Sequence, residues 1–327
     1  HHLVAGLQVA DRAIEIVDPV ERDRQRVGAD LAHAHDRRLV VGAAGRLGDG
    51  DGTGNAQDNI IWGNSGDNIL TGVQGADQID GGAGVDTANY ASSSAGVNVS
   101  LVAGASNTGG DAQGDQLSHI ENLIGSAYDD KLVGNEDANK ISAGSGNDTL
   151  TGGAGADSLD GGEGYNTASY EASVAGVTVY LASTRQEDNQ GGDTQGDVLT
   201  NIQNLTGSAF ADKLVGDSGA NVLEAGAGDD TLEGGSGADT LDGGEGSNTA
   251  SYAQSASGVT VFLEADKQSY NDGGQASGDV LRNIQNLVGS DKNDVLVGDA
   301  QGNLIQSGAG RSEERRVGKE CLRLCRS

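Results

Sequence analysis

The sequence predicts an all-β chain wound as a solenoid of short parallel strands, and three observations predict it. Glycine supplies 55 of 327 residues, more than twice the roughly 7% of ordinary proteins. An aliphatic residue recurs at every ninth position through most of the middle of the chain. Large core-filling side chains are scarce: two Phe, seven Tyr, one Trp and no Met. So few aromatics cannot fill one large core, yet a disordered acidic linker does not require an aliphatic at fixed spacing. A small unit repeated many times, each copy burying one side chain against its neighbours, meets both constraints.

Composition divides the chain into three parts. Residues 1–52 carry seven basic and nine acidic side chains, residues 53–310 seven and 37, and residues 311–327 six and three. Both Cys, the only Pro, four of the five His and every Arg except Arg185 and Arg282 fall in the two ends. The acidic middle argues against nucleic acid and anionic lipid as partners, and no apolar run approaches the ~20 residues of a membrane span. The absent initial Met suggests a fragment, and His1-His2-Leu3-Val4 lacks the basic and apolar regions of a signal peptide. Residues 1–52 are left unassigned, with a helix-compatible stretch over 20–41. Residues 311–327 read as a non-native tail, because Arg311 replaces the expected repeat residue and 311–321 resembles an in-frame translation of a sequencing adapter.

Within 53–310 the repeat unit is a nonapeptide. Its best copies are Gly152-Gly153-Ala154-Gly155-Ala156-Asp157-Ser158-Leu159-Asp160 and Gly234-Gly235-Ser236-Gly237-Ala238-Asp239-Thr240-Leu241-Asp242. Both fit GGxGxDxUx, where U is a large aliphatic. The first six positions suit a turn, since glycine accepts positive φ and leaves its carbonyl uncovered. The x-U-x triplet suits a short strand with U pointing inward. Two nonapeptides make one coil, so a residue stacks on its counterpart two repeats away. A longer period of 80 and 82 residues separates Gly81, Gly161 and Gly243, giving about three blocks. Each block carries a Tyr (Tyr90, Tyr170, Tyr252), an alternating stretch at 97–101, 177–181 or 259–263 that reads as a half-buried strand, and then a polar Gly/Asp loop.

The sixth position is the candidate ligand. It is occupied by Asn59, Asn68, Asp77 and Asp86 in the first block and by Asp130, Asn139, Asp148, Asp157 and Asn166 in the second. In the third it holds Asp212, Asn221, Asp230, Asp239 and Asn248, and a last broken copy holds Asp294 and Asn303. The two-repeat coil stacks Asn59 with Asp77, Asp130 with Asp148, and so on along each edge. Carboxylates, amides and main-chain carbonyls stacked in this way are the hard oxygens that Ca²⁺ takes, six to eight at a time. Stacked carboxylates repel one another without a cation, so calcium binding and folding are expected to be coupled.

On these motifs, residues 53–310 resemble the hemolysin-type calcium-binding (RTX) repeat family of bacterial secreted proteins. The resemblance implies a parallel β-roll that holds several Ca²⁺ ions, crosses a type I secretion channel unfolded and folds outside the cell. It also implies a secretion or structural module of a larger protein, with the secretion machinery and a cell-surface or polysaccharide partner as its contacts. The competing expectation is the C-terminal repeat region of a secreted enzyme, such as a polysaccharide epimerase or protease, or of an adhesin. Catalytic signatures are missing from the sequence: no HExxH, no GxSxG, no GxxxxGK[ST], and only His119 inside the array. An enzyme is therefore not expected here. Asp49-Gly50-Asp51 opens like an EF-hand loop, but the twelfth position is Ile60 rather than Glu. His33-Ala34-His35-Asp36 could hold a transition metal or be a solvated segment. Asp111, Asp115, Asp193, Asp197 and Asp279 are read either as a second ligand set, with Gln275 departing from it, or as a solvated loop. The three block tyrosines are read as packing residues.

Overall fold

A computed structural model describes residues 40–42, 50–310 and 313–315, with residues 40–42 and 314–315 by backbone alone. The pair His33/His35, most of the N-terminal segment and most of the tail lie outside the described residues. Val40–Gly42 is a strand, so the helix-compatible stretch does not reach Val41.

Each nonapeptide forms a turn and a three-residue strand, and every pairing between strands is parallel among the described residues. The eighth position is the middle residue of the strand. Leu132 pairs with Leu150 and Leu223 with Leu241, each two repeats apart. These side chains form the core: Ile61, Leu132, Leu150, Leu214 and Leu232 are fully buried. The seventh and ninth positions face outward, as in Lys131–Val133, where only Leu132 is completely enclosed. Two strands per coil therefore face each other across a single column of aliphatics, which is why the chain needs so few aromatics.

The strands form five ladders, and the 80-residue blocks are where one ladder gives way to another. The first ladder contains Val40–Gly42, Ile60–Trp62, Gln78–Asp80 and Gln116–Ser118. The second runs from Gly52–Thr53 to Val198–Thr200, and the third from Asn98–Ser100 to Val280–Arg282. The fourth opens at Thr178–Tyr180 and the fifth at Thr260–Phe262. Each alternating stretch noted in the sequence is the opening strand of a new ladder: Asn98–Ser100, Thr178–Tyr180 and Thr260–Phe262. The strand after the Gly/Asp loop then closes an old ladder: Gln116–Ser118, Val198–Thr200 and Val280–Arg282. Between handovers two ladders alternate. In the tail, Glu313–Arg315 adds a strand to the fifth ladder, with Glu314 in register with Leu296.

Candidate metal centre

The sixth positions build a hydrogen-bonded column along each edge of the coils. The backbone N–H of one sixth residue donates to the side-chain oxygen of its counterpart two repeats further on. Asn59 donates to Asp77 at 2.7 Å, Asn68 to Asp86 at 2.8 Å, Asp130 to Asp148 at 2.8 Å and Asn139 to Asp157 at 2.8 Å. Asp148 to Asn166, Asp212 to Asp230, Asn221 to Asp239 and Asp230 to Asn248 repeat the geometry. The column continues through the inserts at wider spacings. Asp77, Asp157 and Asp239 donate to Asp115, Asp197 and Asp279. Asp86 donates to Glu121, Asn166 to Gln203 and Asn248 to Gln285. Asp86, the last sixth position of the first block, thus still has a partner above it.

The sixteen candidates separate by what happens to their second polar atom. In Asp77, Asp86, Asp148, Asp157, Asp230 and Asp239 the Oδ2 atom is buried with no hydrogen-bond partner. The other ten are satisfied by protein. Asn59, Asn68, Asn139, Asn221 and Asn303 accept from the N–H four positions earlier, at 2.6 to 2.9 Å. The Nδ2 groups of Asn139, Asn221, Asn303, Asn166 and Asn248 donate to carbonyls, including Glu121, Gln203 and Gln285. An amide can close a corner by donating; a carboxylate cannot. Asp130 accepts from Val97 N–H and from both the N–H and Oγ of Ser126, and Asp212 does the same with Val177 and Ser208. Asp294 accepts from Val259 N–H and Ser290 Oγ. A serine at the second repeat position is the sequence signal that marks these three.

Four of the six unpartnered oxygens, those of Asp77, Asp86, Asp157 and Asp239, lie against a first-position glycine with no room for a Cβ. A Cβ on Gly72, Gly152 or Gly234 would lie 2.2, 2.2 and 2.3 Å from Oδ2 of Asp77, Asp157 and Asp239. Main-chain carbonyls of one coil are aimed at the glycines of the next: a Cβ on Gly153 would lie 2.1 Å from the Asn135 carbonyl, and one on Gly235 2.0 Å from that of Asp217. At Asp148 and Asp230 the first repeat position is Ala143 and Ala225, both fully buried. Burial pushes the carboxyls of Asp77, Asp157 and Asp239 up to about 7, against the opposing hydrogen bond from the coil below. The same cause raises Asp148 and Asp230 to about 6, and raises Asp86. A buried carboxylate without a donor is unstable unless it is protonated or meets a cation. Among the described residues no three His, Cys, Asp or Glu side chains converge on one point. An ion here would take one or two carboxylate oxygens and draw the rest from main-chain carbonyls, a donor set that fits Ca²⁺.

The insert acids behave differently from either reading of the sequence. Asp115, Asp197 and Asp279 are buried, and their Oδ2 atoms accept from the hydroxyls of Tyr90, Tyr170 and Tyr252 at 3.0, 3.0 and 2.9 Å. They are neither solvated nor left unpartnered: a tyrosine hydroxyl gives each Oδ2 the donor that Asp77 Oδ2 lacks. The tyrosines are packed in the core, as read from sequence, and also donate. Asp111 is buried too, whereas Asp193 is half-buried. His119, Asn201 and Asn283 occupy equivalent left-handed turn positions, with φ of 50°, 54° and 52°. Each bonds an acid from the strand below, His119 Nδ1 to Asp80 at 2.7 Å. His119 thus does a turn residue's work.

A parallel solenoid with repeated oxygen cradles along its edges defines a calcium-binding repeat protein. The family model of the RTX calcium-binding nonapeptide repeat matches residues 53–88, 118–150, 133–168, 204–230, 215–250 and 285–312. Through these repeats the chain belongs to the RTX calcium-binding nonapeptide repeat family. The three ladder-handover inserts fall between the matched segments. No curated protein matches the chain.

Proposed function

We propose that residues 53–310 are a secreted module of a larger protein that folds when Ca²⁺ enters its edge cradles, with ions held at Asp77, Asp86, Asp148, Asp157, Asp230 and Asp239. The six buried oxygens without a partner carry this reading. Bound Ca²⁺ would supply the positive charge that these carboxylates and the carbonyls around them lack. The protein's own part is to hold the oxygens in place through the N–H columns and to exclude water by stacking. The remaining ten sixth positions are hydrogen-bonded corners that keep the register between ions.

The family is a structural calcium-binding module rather than a catalytic one. Export by a type I channel and folding in calcium-rich extracellular fluid are part of this reading, supported by the family resemblance and by the lack of Cys within the array. The test is calorimetric titration of the full chain with Ca²⁺. About six ions are expected per chain; a count near the number of sixth positions, or none, would overturn the assignment. Mg²⁺, which prefers tight octahedral hydration, should not substitute.

A further inference from the structure

The three inserts share one plan but differ in length. From the end of the ladder-opening strand to the start of the ladder-closing strand, the first insert (Ser100 to Gln116) is two residues shorter than the second (Tyr180 to Val198) and the third (Phe262 to Val280). The longer loops of the second and third form short 3₁₀ helices, Gln186–Asp188 and Gln268–Tyr270. Each begins with a buried glutamine that closes the edge of the terminating ladder. Gln186 Oε1 accepts from Leu199 N–H at 2.9 Å, and its Nε2 donates to the Leu199 carbonyl at 2.5 Å. Gln268 does the same for Leu281. One side-chain amide thus satisfies both peptide groups of the last central residue.

The first block has no such glutamine. Leu117 holds the place of Leu199: Ile79 pairs with Leu117 as Leu159 pairs with Leu199, in the same parallel register. Its peptide groups therefore point away from Gln78–Asp80 into the space that Gln186 fills in the second block. That space is a cleft of about 530 Å³, lined by Leu117 and roofed by the loop around Val102 and Ala105. Trp62, the only tryptophan of the chain, lies in the same cleft at 46% exposure. It stands two strands below Leu117, about 10 Å away at the usual strand spacing. Gln78 and Gln116 are exposed at the other end of the same strands, level with Ile60, and line the same cleft. None of the described lining residues is basic.

We propose that this cleft binds a glycan containing N-acetylated amino sugars. The acetamido group supplies the planar amide that Gln186 and Gln268 supply elsewhere, pairing with Leu117 N–H and C=O. A neighbouring ring then stacks its apolar face on Trp62, with Gln78 and Gln116 left to bond hydroxyls. The open edge offers one peptide's worth of hydrogen bonds, which suits a single amide better than an added strand. The acidic array and the lack of cationic lining residues disfavour a polyanion. This site is separate from the calcium cradles, although the fold that forms it is expected to need calcium.

Because Trp62 is unique, its fluorescence in the full calcium-loaded chain reports on this cleft alone. Titration with N-acetylchitotetraose should give a saturable change, and cellotetraose, identical but for the acetamido groups, should bind at least about tenfold more weakly, about 1.4 kcal/mol. By calorimetry, Trp62→Ala should also lose about tenfold in affinity, and Gln78→Ala should lose less, both with an unchanged thermal midpoint. No signal with chitotetraose at millimolar concentration, or equal binding of the two sugars, would overturn the proposal. So would unchanged affinity in Trp62→Ala. Binding of a capped peptide in place of the sugar would identify the open edge as a strand-pairing site and would equally reject the glycan.

Discussion

Asp130 and Asp148 are stacked on the same edge, two repeats apart, and read identically as sequence, yet their chemistry differs. Three donors saturate Asp130, while Asp148 keeps a buried oxygen with none. Asp148→Ala should therefore lose a bound Ca²⁺, and Asp130→Ala should weaken the calcium-loaded fold while the ion count stays the same. Titration calorimetry on the two variants separates the roles. Proton linkage follows from the same atoms. Without calcium, Asp77, Asp157 and Asp239 titrate near 7 in the folded chain, raised by burial, against 3.8 as the ordinary value. Folding then takes up protons, so their contribution is fully present below about pH 4 and is lost as pH rises through about 7. In chelator the chain should hold more β signal at pH 5 than at pH 8 by circular dichroism, and calcium affinity should rise over that interval as ions displace protons. At the handovers, Tyr170→Phe leaves Asp197 Oδ2 without its donor, and a loss of about 1–3 kcal/mol is expected in thermal or chemical unfolding. The sixth positions were legible because spacing alone stacks them. Which of them lack a partner was not, because that depends on a serine hydroxyl, an asparagine amide or a tyrosine arriving from elsewhere.

The nonapeptide strands were legible one by one, since the repeat period fixes both the turn and the buried residue. Leu150 is the middle of such a strand and fully buried. Leu150→Ala should cost about 2–5 kcal/mol, whereas changing the exposed Lys140 on a neighbouring strand should cost little, and chemical denaturation of the two variants measures the contrast. Glycines at the first repeat position are constrained by space rather than by φ. Gly152→Ala puts a methyl carbon against Asp157 Oδ2 and should lower calcium affinity through that cradle. The inserts were legible as strand and loop, but their role was not. Asn98 pairs with Lys131, Gln78 with Gln116 and Ser158 with Val198, at three different separations that no single period announces. Only the stacking of the whole array reveals that each insert closes one ladder and opens the next.

Across the whole molecule, burial per coil is small and negative charge is large. The array carries 37 acidic against seven basic side chains, and one aliphatic column is its main apolar core. Layers whose acids are already hydrogen-bonded recur at the block boundaries, where Ser126, Ser208 and Ser290 stand beside sixth-position acids and Tyr90, Tyr170 and Tyr252 beside the insert acids Asp115, Asp197 and Asp279. Between them lie the corners with unpartnered carboxylate oxygens. On the proposed function, these corners require a divalent ion at neutral pH for the coils to stack. Its most direct test is the far-ultraviolet circular dichroism of the full chain at pH 8, first in chelator and then in millimolar Ca²⁺. A coil-like spectrum that converts to β signal cooperatively with Ca²⁺, and not with Mg²⁺, is predicted. A β spectrum already complete in chelator and unmoved by calcium would contradict the account and make the chain a metal-independent solenoid.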